Sequence, residues 1–259
     1  MRIVVFIKQV PESEDVKIDR LTNTMKREGI RMVMNPSDST ALAAAVQLKK
    51  EHGGKVIAVT MGTKKAVEVL NQAAICGADE LYMVSDPLYA GSDTYATALV
   101  LSETVKYLGG LDIALCGRRA IDGETGQVGP ELSVFLDIPC VTNVLELQLK
   151  SDGRVRYKRL LEDEILDAEL STPALFAVCE GIVRDYVPSI SDLRRARDIK
   201  IINITDNELK LGGERTGLAG SLTTVRRTFQ QTSPDRKCVF VDAKEGAKII
   251  IAKATEAIL

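Results

Sequence analysis

Tryptophan is absent, histidine occurs once, and aromatic residues make up 4% of the 259 residues. So few flat rings exclude a base-stacking surface for single-stranded nucleic acid. The lone histidine, His52, follows Lys49-Lys50-Glu51 in a run that reads as the exposed end of a helix. His-based metal sites and Ser-His or Cys-His nucleophile systems therefore have almost no raw material, and neither a metal nor a catalytic side chain is expected. Charge of one sign is also lacking: the net value of −2 gives no general attraction to nucleic acid or to an anionic membrane. No stretch approaches 18 apolar residues. The opening run Ile3 to Ile7 is too short to span a bilayer, and no small-residue cleavage site follows it. A cytoplasmic protein is expected. The cysteines (76, 116, 140, 179 and 238) are odd in number and lack CxxC spacing, which reads as reduced thiols.

What is present is alternation. Strand-like runs at Arg2 to Val10, Lys55 to Met61, Leu81 to Ser85 and Asp112 to Cys116 are separated by helical spacing at Ser37 to His52, Lys64 to Cys76 and Asp93 to Leu108. Gly53, Gly77 and Gly109 stand where helix ends favour a left-handed residue. Continuous apolar strands alternating with helices predict an α/β fold with an open, doubly wound, mostly parallel sheet of the nucleotide-binding, Rossmann-like kind. After Pro139 the pattern changes. Val144 to Leu149 and Arg154 to Leu160 flank the turn signal Ser151-Asp152-Gly153, predicting a small antiparallel section, and Pro173 to Glu180 resembles a further strand. From Tyr186 the chain turns polar, so residues 1–185 are read as the nucleotide-binding domain. Residues 186–259 are read as an extended C-terminal arm ending in a helix at Ala243 to Ile258.

No GxGxxG follows the first strand, and Gly212 to Gly217 carries Leu218 where a P-loop needs lysine. The informative segment follows the fourth strand: Gly117-Arg118-Arg119-Ala120-Ile121-Asp122-Gly123-Glu124-Thr125-Gly126-Gln127-Val128-Gly129-Pro130. Glycines at 117, 123 and 126 let main chain approach a ligand. Thr125 is expected to cap a helix starting near Gly126, whose free N–H groups and dipole suit a phosphate. An ordinary capped loop reads the same way. Carboxyl ends of strands collect ligands in open α/β sheets. Asn35-Pro36-Ser37-Asp38, with Ser37 or Asp38 as cap, and Thr60-Met61 end on the same side. Ser92 or Asp93 is expected to cap the third helix, placing Thr94 and Thr97 on one face. Arg118 and Arg119 are equally readable as phosphate partners or as solvated loop residues.

The opening Ile3 to Pro11, Asn35-Pro36 with Asp38, the Asp122 to Pro130 run, Tyr186 to Ile190 and Gly220 to Thr223 together resemble the β subunits of electron-transfer flavoproteins, in order along nearly the whole chain. The resemblance implies a heterodimer with an α subunit that carries electrons between dehydrogenases and other acceptors. Gly91 to Thr97, and Arg27-Glu28-Gly29, are similar to the electron-bifurcating type, in which the β subunit holds FAD reduced by NADH; the alternative is the type holding structural AMP. It further implies that Phe6, Lys8, Asn35, Asp38 and Met61 surround the adenosine end, that Ile7, Pro36 and Thr60 also belong to the cofactor site, and that main chain from Asp122 through Gly123, Glu124, Thr125, Gly126 and Gln127 to Val128 holds the diphosphate. Thr94 and Thr97 would approach the flavin ring. Ile190 and Leu193 match the loop with which the family docks a flavin dehydrogenase of acyl-CoA or hydroxyacid type. Val187 and Asp192 depart from the family's pattern there. Ferredoxin or flavodoxin is the implied low-potential acceptor. An ATP-binding protein similar to universal stress proteins is a third reading.

Overall fold

The computed structural model describes residues 1–12, 18–19, 24–25, 31–183, 186–226, 238 and 240–258. Its strands are β1 (Arg2–Phe6), β2 (Gln9–Pro11), β3 (Ile18–Asp19), β4 (Thr24–Met25), β5 (Met32–Met34), β6 (Lys55–Met61), β7 (Glu80–Val84), β8 (Ile113–Gly117), β9 (Cys140–Leu149), β10 (Arg154–Leu160), β11 (Ile165–Ser171), β12 (Ala174–Val178) and β13 (Ile201–Ile204). The helices are α1 (Pro36–His52), α2 (Val67–Cys76), α3 (Thr94–Tyr107), α4 (Val128–Leu136), α5 (Ile190–Asp198), α6 (Asp206–Leu209), α7 (Gly217–Gly220) and α8 (Ala243–Ile258).

Nine strands form one sheet in the order β11-β10-β9-β12-β8-β1-β6-β7-β13. Neighbours from β9 to β13 run parallel, while β10 is antiparallel to both β9 and β11. The sequence of β1 shows why both faces are covered. Period-2 alternation sends Ile3, Val5 and Ile7 into a core with α1 and α2, and Val4 and Phe6 into a second core with α3 and α4. This is the doubly wound α/β sheet that the alternating pattern predicts, with its antiparallel section at one edge. From β1 the chain winds outward through β6 and β7, then returns to place β8 on the other side of β1. The winding reverses between β1 and β8, and at such a switch point the loops diverge and leave a crevice.

Three expectations need correction. The first strand ends at Phe6 rather than running on to Val10, because the Lys8 amide leaves the ladder for the Asp38 carboxylate. The chain then pairs β2 antiparallel with β5. The helix expected near Gly126 begins at Val128. Part of the polar stretch after Tyr186 packs onto the sheet: β13 pairs with β7 and sends Ile201 and Ile204 into the two cores, while most of the charges of α5 stay in water.

Contacts divide the chain into Met1–Arg226 and Arg227–Leu259. In the second unit α8 starts where the Asp242 carboxylate accepts the amides of Lys244 and Glu245. No helix among the described residues is long and apolar enough to cross a membrane.

Candidate functional site

The carboxyl ends of β1 and β8 are joined by one side chain. Asp38, in the first turn of α1, accepts the Lys8 amide on one carboxylate oxygen and the Gly117 amide on the other, both at 2.8 Å. Its burial pushes the carboxyl up to about 6 despite those hydrogen bonds. Gly117 is required there, since a Cβ would stand 2.5 Å from the Asp38 oxygen. Asn35 precedes α1 and does not cap it. Fully buried, it spends its amide on the next loop instead: Nδ2 donates to the Arg119 carbonyl at 2.9 Å, and Oδ1 accepts the Ile121 amide at 3.2 Å.

Two more segments reach the same loop. Lys8 Nζ stands 2.7 Å from the Asp122 carboxylate. From α3, Thr94 Oγ1 lies 3.2 Å from Gln127 Oε1 and 3.1 Å from Glu131 Oε1. Segments beginning at residues 8, 35 and 94 therefore converge on residues 118–131. The loop itself turns through positive φ at Glu124 and Gly126; the left-handed conformation suits glycine and costs glutamate about 1–2 kcal/mol. Arg119 answers Glu124 across 3.4 Å. A cavity of about 250 Å³ opens here, lined by Arg118, Arg119, Glu124 to Gly126, Thr142 and Asn143.

The donor set fits an anionic nucleotide. No side chain caps α4, so the amides of Val128 and Gly129 have no capping partner, and the Gln127 backbone is already helical. Thr125, expected to cap, is exposed beside the cavity instead. A Cβ on Gly123 would meet nothing within 4 Å, so open space and not packing lies in front of it. At the end of β6 the Thr60 hydroxyl is buried with no hydrogen-bond partner among the described residues.

The remaining residues of the expected site have settings of their own. Phe6 and Ile7 are core side chains, and Met61 packs partly against the second core. Pro36 is exposed at the first position of α1, and neither Ser37 nor Asp38 caps that helix. Asp93 does cap α3, accepting the Ala96 amide, and its other oxygen takes the amide and hydroxyl of Thr223. Thr97 is half-buried. The Arg27-Glu28-Gly29 run lies outside the described residues. Sequence reasoning missed Glu131, whose second carboxylate oxygen is buried and unpartnered among the described residues. It also missed Asn143, held at positive φ on the cavity wall. Asparagine at a strand irregularity was the available signal for the latter.

Ile190 and Leu193 stand elsewhere. Ser189 and Asp192 close a capping box on α5, leaving Ile190 71% and Leu193 45% exposed beside Val187. The Arg195 guanidinium donates to the carbonyls of Ala74 and Ala78 at the end of α2. That fixes α5 against the end of α2.

A family model described as the electron transfer flavoprotein domain matches residues 22–205. The chain is 40% identical over 229 residues to an electron transfer flavoprotein subunit beta of Thermoanaerobacterium thermosaccharolyticum, covering 88% of this chain and 87% of that one. It is 37% identical over 230 residues to the caffeyl-CoA reductase-Etf complex subunit CarD of Acetobacterium woodii, again covering 88% and 87%. With an electron transfer flavoprotein subunit beta of Clostridium acetobutylicum the identity is 33% over 257 residues, covering 99% of this chain and 98% of the relative.

Proposed function

The chain belongs to the electron transfer flavoprotein family as a β-type subunit, and from that premise we propose that it pairs with an α subunit, holds FAD at the β1–β8 switch point and takes electrons from NADH. In this reading the pair is divided between the α-subunit flavin, which serves a dehydrogenase, and a low-potential acceptor such as ferredoxin or flavodoxin. Similarity to a subunit named for a caffeyl-CoA reductase complex favours a dehydrogenase of the acyl-CoA type. Five cysteines free of disulfides accord with a reducing cytoplasm.

The observation that carries the reading is the convergence of Lys8, Asn35 and Thr94 on residues 118–131. A bound flavin supplies two-electron uptake with one-electron release, which side chains lack. The protein's part is to bind and orient. Amides at the start of α4, with Thr125, face the diphosphate, and Arg118 and Arg119 offset its charge. Asn35 and Asp38 hold the walls instead of touching the ligand. Thr94, pinned by Gln127 and Glu131, stands at the ring end, and Ile190 with Leu193 forms the small apolar anchor for the dehydrogenase.

The test is extraction of nucleotides from the co-expressed, purified heterodimer. Two FAD per heterodimer are expected, with bleaching of both on NADH titration. One FAD with one AMP would replace this reading by the non-bifurcating type, and no adenine nucleotide in the β subunit would overturn both.

A further inference from the structure

We propose that Asp38 is a positioning residue whose charge holds the switch-point crevice shut: one carboxylate, shared by the amides of Lys8 and Gly117, ties the loop after β1 to the end of β8, and loss of the charge lets them part. The tie is a property of this chain. Only its consequence for a ligand rests on the nucleotide reading above.

Ladder geometry leaves the tie necessary. Pairing of β1 with β8 stops at Val5 and Leu115. Beyond it the Ile7 amide turns to Val59 on β6, and the Arg118 amide to Val178 on β12. The strands part, and the amides of Lys8 and Gly117 are left facing the gap. Asp38 fills it, 6% exposed, with one oxygen for each amide. A carboxylate accepts on both oxygens. A carboxylic acid keeps one full acceptor oxygen, but its hydroxyl oxygen has lost charge and a lone pair and accepts more weakly, so one of the two bonds is weakened.

The charged and titratable groups around Asp38 come from four elements. Lys8, after β1, directs its ammonium to Asp122. Cys116 of β8 lies close enough for the Asp38 charge to raise its thiol, after burial. Glu180, after β12, is reached through Ser37 Oγ at 3.1 Å. Arg118 and Arg119 follow in the exposed loop. None supplies a cation in contact with the Asp38 oxygens, so burial dominates and moves the carboxyl to about 6. The sign is then fixed. As pH falls through that value the folded chain sheds a buried charge, so the fold gains stability through this group while the tie relaxes. Loosening without unfolding is the signature.

The test uses the full chain, labelled with nitrogen-15 and carbon-13, from pH 7.5 to 5.0. The amide shifts of Lys8 and Gly117 and the Asp38 side-chain carboxyl carbon are expected to titrate together, with a common midpoint near 6. The amide titration is expected to vanish in Asp38→Asn and to persist in Glu180→Gln. Flat amides in the wild-type chain, or a carboxyl midpoint different from theirs, overturn the proposal even if Asp38→Asn fails to fold. In the heterodimer, release of bound nucleotide is expected to quicken about tenfold between pH 7 and pH 5. Unchanged release with titrating amides overturns the crevice role. Absence of any nucleotide overturns the functional reading and leaves the tie standing.

Discussion

Asp38 and Asp192 occupy the same place, third residue of a helix, after nearly the same words: Asn35-Pro36-Ser37-Asp38 and Ser189-Ile190-Ser191-Asp192. Their surroundings drive them in opposite directions. Asp192 turns back on its own helix start, accepting the Ser189 amide and hydroxyl and the Tyr186 hydroxyl, and these bonds hold its carboxyl down at about 2. Asp38 turns away from its helix, takes amides from two strands, and burial lifts it to about 6. At the exposed edge a helix start spends its polar groups at home. At the switch point it lends them to neighbours that would otherwise be unsatisfied. Local sequence sets the helix; the place in the sheet decides what its cap residues do.

The sharpest way to break this comparison is to remove the two N-terminal polar residues in turn. Asn35→Ala empties a buried position and strands the Ile121 amide and the Arg119 carbonyl in a half-buried setting, and a loss of about 2–4 kcal/mol in denaturant unfolding is expected. Ser189→Ala removes a local cap at the surface, costing about 1 kcal/mol. Equal costs would mean that the two helix starts are energetically alike after all. Next in size, Gly117→Ala sets a Cβ 2.5 Å from the Asp38 carboxylate; about 1–3 kcal/mol of overpacking is expected, together with weaker nucleotide retention in the heterodimer.

Acid sharpens the contrast further. Asp38 sits above its unfolded value of 3.8, so its contribution to stability is full below that value and is lost as pH rises through about 6. Asp192 sits below the same unfolded value, so its contribution is present above it and is lost as pH falls through about 2. Amide protection of α5 should therefore survive at pH 4.5, where Asp38 is already neutral. Loss of α5 protection near pH 6 would contradict the assignment. The smallest effect belongs to the antiparallel section, whose ion pairs, such as Arg156 with Asp167 at 2.7 Å, are largely exposed. Asp167→Asn should leave the unfolding midpoint unresolved from wild type.

Much of this was legible in advance. The parallel core announced itself because β1, β6 and β8 are unbroken apolar runs that only burial on both faces explains. The loop after β8 stood out by its glycines. What stayed hidden is which groups are spoken for. Asn35 and Asp38 were visible as notable residues near a helix start, yet their partners are main-chain atoms about 80 residues away, at Arg119 and Gly117. Main-chain partners leave no mark in side-chain spelling. Strand β11 escaped for a related cause: Asp167 and Glu169 face water, so its membership rests on pairing with β10 and not on an apolar pattern. Thr125 was misjudged because the helix starts two residues later than its hydroxyl suggests, once Glu124 and Gly126 adopt positive φ.

The most direct measurement of the central claim is hydrogen exchange in the heterodimer before and after its β-subunit nucleotide is removed. Slower exchange with nucleotide bound is expected in residues 117–131 and around Lys8, with β10, β11 and α5 unchanged. Protection confined to the antiparallel section or to α5, with residues 117–131 indifferent to the nucleotide, would contradict it.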